Sequence, residues 1–159
     1  MKACCFYEGA IGKYGLQEEG DKLTRIWVGN RVEVAPEACE RKETPLLREV
    51  HRQLDAYFDR KLKVFDIPYS LEGTPFQQKV WRALCGIPYG TYITYGELAV
   101  RIGDPKACRA VGMANGRNPL PIIVPCHRVI GSGGKLTGYT GGLDIKTKLL
   151  QTEGITLFA

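Results

Sequence analysis

Between residues 45 and 58 the apolar side chains Leu46, Leu47, Val50, Leu54, Tyr57 and Phe58 recur at helical spacing. Thr44 stands before them as an N-cap and Pro45 at the first helical position, so the pattern predicts a helix starting there. Upstream the period changes. Ala3–Tyr7, Tyr14–Gln17, Leu23–Val28 and Arg31–Val34 are short apolar-rich runs divided by turn signals at Gly12, Gly20-Asp21 and Gly29-Asn30. They predict four strands of a small antiparallel sheet.

Ile67-Pro68-Tyr69 and Glu72-Gly73 read as a connection, which divides the chain into residues 1–72 and 73–159. Thr74-Pro75 opens a second helix, with Phe76, Val80, Trp81 and Leu84 on one face and an end near Gly86. Thr94 and Glu97 form a capping box for a short helix that stops before Gly103. Asp104-Pro105 predicts another helix over Lys106–Asn115, and the pair makes a helix-turn-helix candidate. The second helix carries small residues (Ala107, Ala110, Gly112, Ala114) and one long cation, Arg109, in its middle. Such a face approaches another surface closely; the same alanines also suit packing against the protein's own core. A last helix is predicted over about Gly142–Glu153, ended by Gly154. The fold class expected is α+β, a sheet-and-helix first half followed by a mostly helical second half.

Composition narrows the function. The 159 residues are 44% hydrophobic, enough for a core, and no run approaches the ~18 apolar residues of a membrane span. Met1-Lys2-Ala3-Cys4-Cys5 lacks a secretory apolar core, so a cytoplasmic protein without membrane association is expected. Six cysteines in such a chain argue against a disulfide framework. None forms a Cys-x-x-Cys pair and His51 lies far from His127, so no metal site is expected. The net charge of +5 is uneven: residues 91–159 carry 8 Lys/Arg against 4 Asp/Glu. A basic half is compatible with a polyanionic partner.

That half also holds Pro125-Cys126-His127-Arg128-Val129, between the apolar run Ile122-Ile123-Val124 and the turn Gly131-Ser132-Gly133-Gly134. A thiol beside a histidine, where a buried strand gives way to turns, reads as a nucleophile. Free cysteine has a pKa near about 8.5, so a reactive one needs a base or cation nearby. Neighbours in an extended segment point to opposite faces, so Cys126 and His127 require a sharp turn or a bridging water. An acid such as Glu153 would orient the imidazole. The alternative is that Cys126 is a small buried hydrophobe.

The segment Asn118-Pro119-Leu120-Pro121-Ile122-Ile123-Val124-Pro125-Cys126-His127-Arg128-Val129 resembles the active-site signature of the O6-alkylguanine-DNA alkyltransferases. The similarity extends through Tyr89-Gly90, Thr94-Tyr95-Gly96-Glu97-Leu98-Ala99, Arg109-Ala110-Val111-Gly112 and Gly138-Tyr139-Thr140-Gly141-Gly142-Leu143. The resemblance implies an RNase H-like first domain and a winged helix-turn-helix-like second domain. It also implies direct repair of O6-alkylguanine, and of O4-alkylthymine, by irreversible transfer of the alkyl group to Cys126. A thioether is not readily hydrolysed, so one molecule would act once, without a cofactor.

The resemblance further implies the roles. Cys126 is the nucleophile, His127 its base through water, and Glu153 the group that holds the histidine. Tyr95 assists the leaving guanine and Asn118 buttresses the thiol-bearing turn. Tyr139, Thr140 and Gly141 line the base pocket, and the main-chain carbonyls of Cys126 and Val129 read the exocyclic amine. Arg109 enters the stack in place of the flipped nucleotide. Ala110, Gly112, Ala114 and Asn115 lie on the helix that seats in the minor groove. The partner is double- or single-stranded DNA carrying the lesion, and the protein is a monomer, with cooperative binding left open. Cys108, beside Arg109, is expected to pack inward.

Overall fold

A computed structural model describes residues 2–34, 39–136, 138–139 and 141–156. Strands β1 (Lys2–Gly9), β2 (Gly12–Glu19) and β3 (Lys22–Val28) form an antiparallel meander. The outer edge of β1 pairs in parallel with β4 (Glu40–Arg41), giving the order β3-β2-β1-β4. The sheet is therefore mixed, not wholly antiparallel as its turn signals suggested.

Arg31–Val34 is a second correction, because Gly29–Val34 forms a 3-10 turn in place of a strand. The cause lies at Gly29, whose φ of 57° turns the chain toward the second half. A Cβ placed on Gly29 would stand 1.9 Å from the carbonyl oxygen of Gly141, an approach only glycine permits. The edge of β3 that a fourth strand would have used is already occupied. Leu23 N–H donates to the Pro68 carbonyl (2.9 Å), Ser70 N–H to the Leu23 carbonyl (3.0 Å) and Ile26 N–H to the Pro119 carbonyl (2.9 Å). An edge of unpaired main-chain groups is thereby covered.

Helix α1 (Pro45–Phe58) begins as its sequence predicts, with Thr44 Oγ1 accepting from Leu47 N–H at 3.1 Å. Such a cap contributes about 1 kcal/mol. Leu47, Val50, Leu54 and Tyr57 are buried against the sheet. Helix α2 (Pro75–Leu84) opens on a Thr74/Gln77 capping box and buries Val80, Trp81 and Leu84. Then follow β5 (Ile93–Thr94), α3 (Tyr95–Arg101) with the predicted Thr94/Glu97 box, α4 (Cys108–Gly116), β6 (Val129–Ile130) and α5 (Leu143–Thr152). One apolar cluster runs from Tyr14 and Leu16 through Leu47 and Tyr57 to Trp81, Leu98, Val111, Val124 and Leu149, so both halves share a core.

Helices α3 and α4 form the helix-turn-helix pair. Helix α4 begins two residues later than its sequence suggests, because the Asp104 carbonyl closes a turn by accepting from Ala107 N–H at 3.0 Å. Its buried stripe is Val111, Ala114 and Asn115, while Arg109, Ala110 and Met113 are exposed. Ala114 and Asn115 thus leave the set of DNA-facing residues: i, i+3, i+4 periodicity aims them at the core. Cys108 is exposed, contrary to the expectation that it packs inward. Among the described residues no helix is long and apolar enough to cross a membrane.

Candidate active site

Cys126 owes its position to two successive turns. Pro125, at φ −80° and ψ 66°, makes an inverse γ-turn in which Cys126 N–H donates to the Val124 carbonyl at 2.8 Å. A 3-10 turn over Cys126–Arg128 follows, closed by Arg128 N–H on the Pro125 carbonyl (3.1 Å). Two asparagines brace this hinge. Asn118 Nδ2 donates to the Val124 carbonyl (2.7 Å) while its Oδ1 accepts from Leu120 N–H (2.9 Å). Asn115 Nδ2 donates to the Cys126 carbonyl at 3.3 Å, which is the structural use of the residue that the sequence assigned to DNA.

The thiol is 4% exposed. Burial pushes it up, and Asn118, Lys146 and Tyr139 offset only part of that rise. The sulfur therefore rests as a thiol, not as the standing anion that an activated cysteine suggests, and a base must take its proton during attack.

His127 is that candidate base. It is fully buried, and burial holds it below the usual imidazole range despite the neighbouring carboxylate. The ring is thus neutral near pH 7. Its Nε2–H donates to Glu153 Oε2 at 2.7 Å, which leaves Nδ1 as the proton acceptor. Nδ1 is buried without a hydrogen-bond partner among the described residues.

Glu153, at the C-cap of α5, gathers five donors. Oε2 accepts from His127, from the Tyr57 hydroxyl (2.5 Å) and from Arg128 Nη2 (2.9 Å); Oε1 accepts from Arg128 Nε (2.8 Å) and Gly90 N–H (3.0 Å). Burial alone would raise this carboxyl, but the bonds from His127, Arg128 and Tyr57 hold it well below the usual range. Arg128 spends its remaining arm on the Ile87 carbonyl (2.7 Å).

Tyr95 reaches the same region through pairing of β5 with β6. Ile93 lies beside Val129 and Thr94 beside Ile130, and the next residue, Tyr95, starts α3 at the end of this pairing. A Cβ on Gly112 would touch its ring at 3.9 Å and one on Gly138 its hydroxyl at 4.0 Å. The Lys146 ammonium stands 5.9 Å from the ring centroid.

Lys146 is the buried cation of this region that sequence reasoning missed. It is fully buried, donates to the Val129 carbonyl at 2.7 Å and is pushed down to about 8 by burial. Its signal was present: a lysine occupies a position on the buried stripe of α5 with Ile145, Leu149 and Leu150. The carbonyls of Cys126 and Val129, assigned to guanine, each already accept one protein donor; a carbonyl oxygen has a second lone pair for another.

The Tyr139 hydroxyl is buried beside the thiol without a well-formed hydrogen bond. Gly141 is buried against Val28, and a Cβ there would meet Val28 Cγ2 at 2.5 Å. Thr140 lies outside the described residues. Arg109 and Ala110 stand on the exposed face of α4. A groove of about 550 Å³ opens past Asn118, Tyr139 and Gly141 toward the sheet.

Comparison with known proteins agrees with this geometry. Residues 75–155 match the family model described as 6-O-methylguanine DNA methyltransferase, DNA binding domain. The methylated-DNA–protein-cysteine methyltransferase of Methanosarcina acetivorans is 54% identical over 151 residues, covering 93% of this chain and 96% of that protein. The constitutive enzyme of that name from Bacillus subtilis is 49% identical over 156 residues, 94% of this chain and 93% of its own. A crystal structure of Mycobacterium tuberculosis OGT in complex with DNA superposes with a TM-score of 0.86 at 45% identity, over 95% of this chain and 92% of that one. With its thiol, histidine and carboxylate held as above, the chain belongs to the 6-O-methylguanine DNA methyltransferase family.

Proposed function

We propose that this protein repairs DNA directly, as a methylated-DNA–protein-cysteine methyltransferase that moves the alkyl group from guanine O6 onto Cys126. The observation that carries the reading is the line from Glu153 through a neutral His127 to an unpartnered Nδ1, one residue from a buried thiol. A water relays the Cys126 proton to Nδ1 as sulfur attacks the alkyl carbon. Glu153 fixes the imidazole and stabilises its cationic form, while Arg128 holds the Glu153 carboxylate in place. The Tyr95 hydroxyl donates to the guanine as charge develops on the leaving base; general acid assistance of this kind contributes ~10²–10⁴-fold. Asn118 keeps the turn rigid.

The base is held by Tyr139, Thr140 and Gly141 and read by the Cys126 and Val129 carbonyls. Arg109 fills the vacated place in the stack while Ala110 and Gly112 seat α4 on the duplex. Flipping the nucleotide costs a few kcal/mol, which a mispaired lesion lowers. The C–S product is not hydrolysed, so each molecule acts once. O4-alkylthymine is a second substrate of the same pocket, residues 73–159 carry the DNA and alkyl sites, and the protein acts as a cytoplasmic monomer.

Intact-protein mass spectrometry after mixing with an O6-methylguanine duplex tests the reading. The expected result is a gain of one CH₂, mapped to Cys126 and saturating at one per protein, and none in Cys126→Ala. Clearance of the lesion by Cys126→Ala, or repeated turnover by the wild type, would overturn it.

A further inference from the structure

A second groove, of about 630 Å³, lies in the first half of the chain, where the β2–β3 end of the sheet meets the start of α1. None of its lining residues belongs to the thiol-bearing turn, the Tyr139 loop or α4. The strand register builds its floor. Ala3 of β1 lies between Glu18 of β2 on one side and Glu40 of β4 on the other. Directly opposed residues of a ladder point to the same face, so the two glutamates flank one methyl group. Two strand spacings place their Cα atoms about 9.5 Å apart. Pro45 and Leu46, in the first turn of α1, add an apolar wall, and Asp21, three residues past Glu18, adds a third carboxylate.

Glu18 is the member that solvent alone does not explain. It is 8% exposed, yet among the described residues no donor or cation bonds its carboxylate. Lys42 is the one cation among the groove's described lining residues, and it forms no ion pair with Glu18, Asp21 or Glu40. An enclosed charge without a partner is costly, so the site is completed by a cation entering it. A metal ion does not suit these donors. Among the described residues no three acidic, histidine or cysteine groups are close enough together to hold one. Carboxylates on either side of an apolar floor suit a cation charged at both ends, with methylenes between. Four or five methylenes separate two ammonium nitrogens by roughly 6–7 Å, and a charge-assisted bond of about 2.8 Å at each end completes the span.

We infer that this groove binds a linear aliphatic diamine or polyamine, one ammonium on Glu18, the next on Glu40 and the methylene chain across Ala3 and Leu46. Each ammonium carries three donors and no acceptor, matching a lining whose carboxylates outnumber its lysine three to one. Asp21 lies where a longer polyamine brings a further ammonium.

Isothermal titration calorimetry of the full chain at low ionic strength tests the site. The probes are 1,4-diaminobutane, n-butylamine, MgCl₂ and CaCl₂; the proteins are the wild type, Glu18→Gln and Glu40→Gln. Glu40 is exposed, so its variant keeps the test valid should Glu18→Gln fold poorly. The expected result is one diamine per protein, bound about ten-fold more tightly than the monoamine because the second ammonium binds intramolecularly. Either substitution should weaken the diamine about five-fold and leave alkyl transfer unchanged. Absence of saturable diamine binding, or binding that neither substitution alters, would overturn the site. Equal affinity for diamine and monoamine would overturn it in favour of loose counterion association. Tighter binding of Mg²⁺ or Ca²⁺, lost in the same variants, would overturn it in favour of a metal.

Discussion

Replacing Glu153 by glutamine probes a carboxylate that accepts from five donors among the described residues. Its side chain is fully buried, as is that of His127, and Arg128 is nearly so, with bonds of 2.7–2.9 Å joining them. Glutamine keeps the shape but removes the charge and introduces an N–H₂ facing the Arg128 donors. Breaking a buried pair by removing one partner costs about 3–5 kcal/mol, because the surviving charge stays buried and unpaired. For a domain of this size that lowers Tm by about 6–20 °C, at roughly 2–4 °C per kcal/mol.

Thermal and denaturant unfolding of Glu153→Gln, Arg128→Met and the double variant measure the effect. The double variant should be less destabilised than the sum of the singles by about 2 kcal/mol, since neither charge is then stranded. Alkyl transfer in Glu153→Gln should fall by about 10²-fold, as the charge that stabilises the protonated His127 is lost.

The wild-type pH profile follows from the same groups. His127 has a lowered value in the fold, so its contribution is present above about pH 6.5 and declines below, where only the unfolded chain takes the proton. Glu153 is also lowered: its contribution is present above about pH 4.3 and is lost as pH falls through its folded value. A Glu153→Gln protein within about 1 kcal/mol of wild type, or strictly additive singles, would refute the argument.

Two further perturbations test other parts of the site. Lys146→Met removes the cation that lowers the Cys126 thiol, so transfer near pH 7 should slow by about ten-fold while stability holds or rises, burial of an ammonium being costly. Because the amine is lowered to about 8 in the fold, wild-type stability relative to the variant should rise between pH 8 and about 10.4; a flat difference contradicts the buried-charge assignment. Gly29→Ala places a methyl 1.9 Å from the Gly141 carbonyl at φ 57°, and is expected to cost about 2–4 kcal/mol and to slow transfer through the Tyr139 loop. Gly12→Ala, at φ 84° but with nothing within 4 Å, should cost only about 1–2 kcal/mol and leave transfer intact; equal effects at the two positions would count against the contact.

Where local chemistry decided the structure, the sequence was readable. Thr44, Thr74 and Thr94 each cap the helix expected of them, and the Glu153–His127 bond joins groups chosen for their complementary chemistry. Failures came where a distant segment competed. Arg31–Val34 has the composition of a strand, but residues 68, 70 and 119 hold the edge it would have paired with. Asn115 was assigned outward by its neighbours' family role, whereas helical periodicity turns it under Cys126. Lys146 and Arg128 escaped notice because long cations are expected in solvent; each is buried by a partner far away in the chain. The thiol's protonation was equally invisible, since it depends on enclosure more than on neighbours in sequence.

The way β3 is closed off has a consequence for anyone dividing this molecule. Its last ladder rung is supplied by Pro119, only seven residues before Cys126, so the sheet and the thiol-bearing loop are stitched by the same backbone. A fragment carrying only the second half would lose the partner of that proline carbonyl and the floor under Gly141, while the severed sheet would present a bare, adhesive margin to its neighbours. The halves are thus better regarded as a lock and its housing than as a tool and a detachable handle.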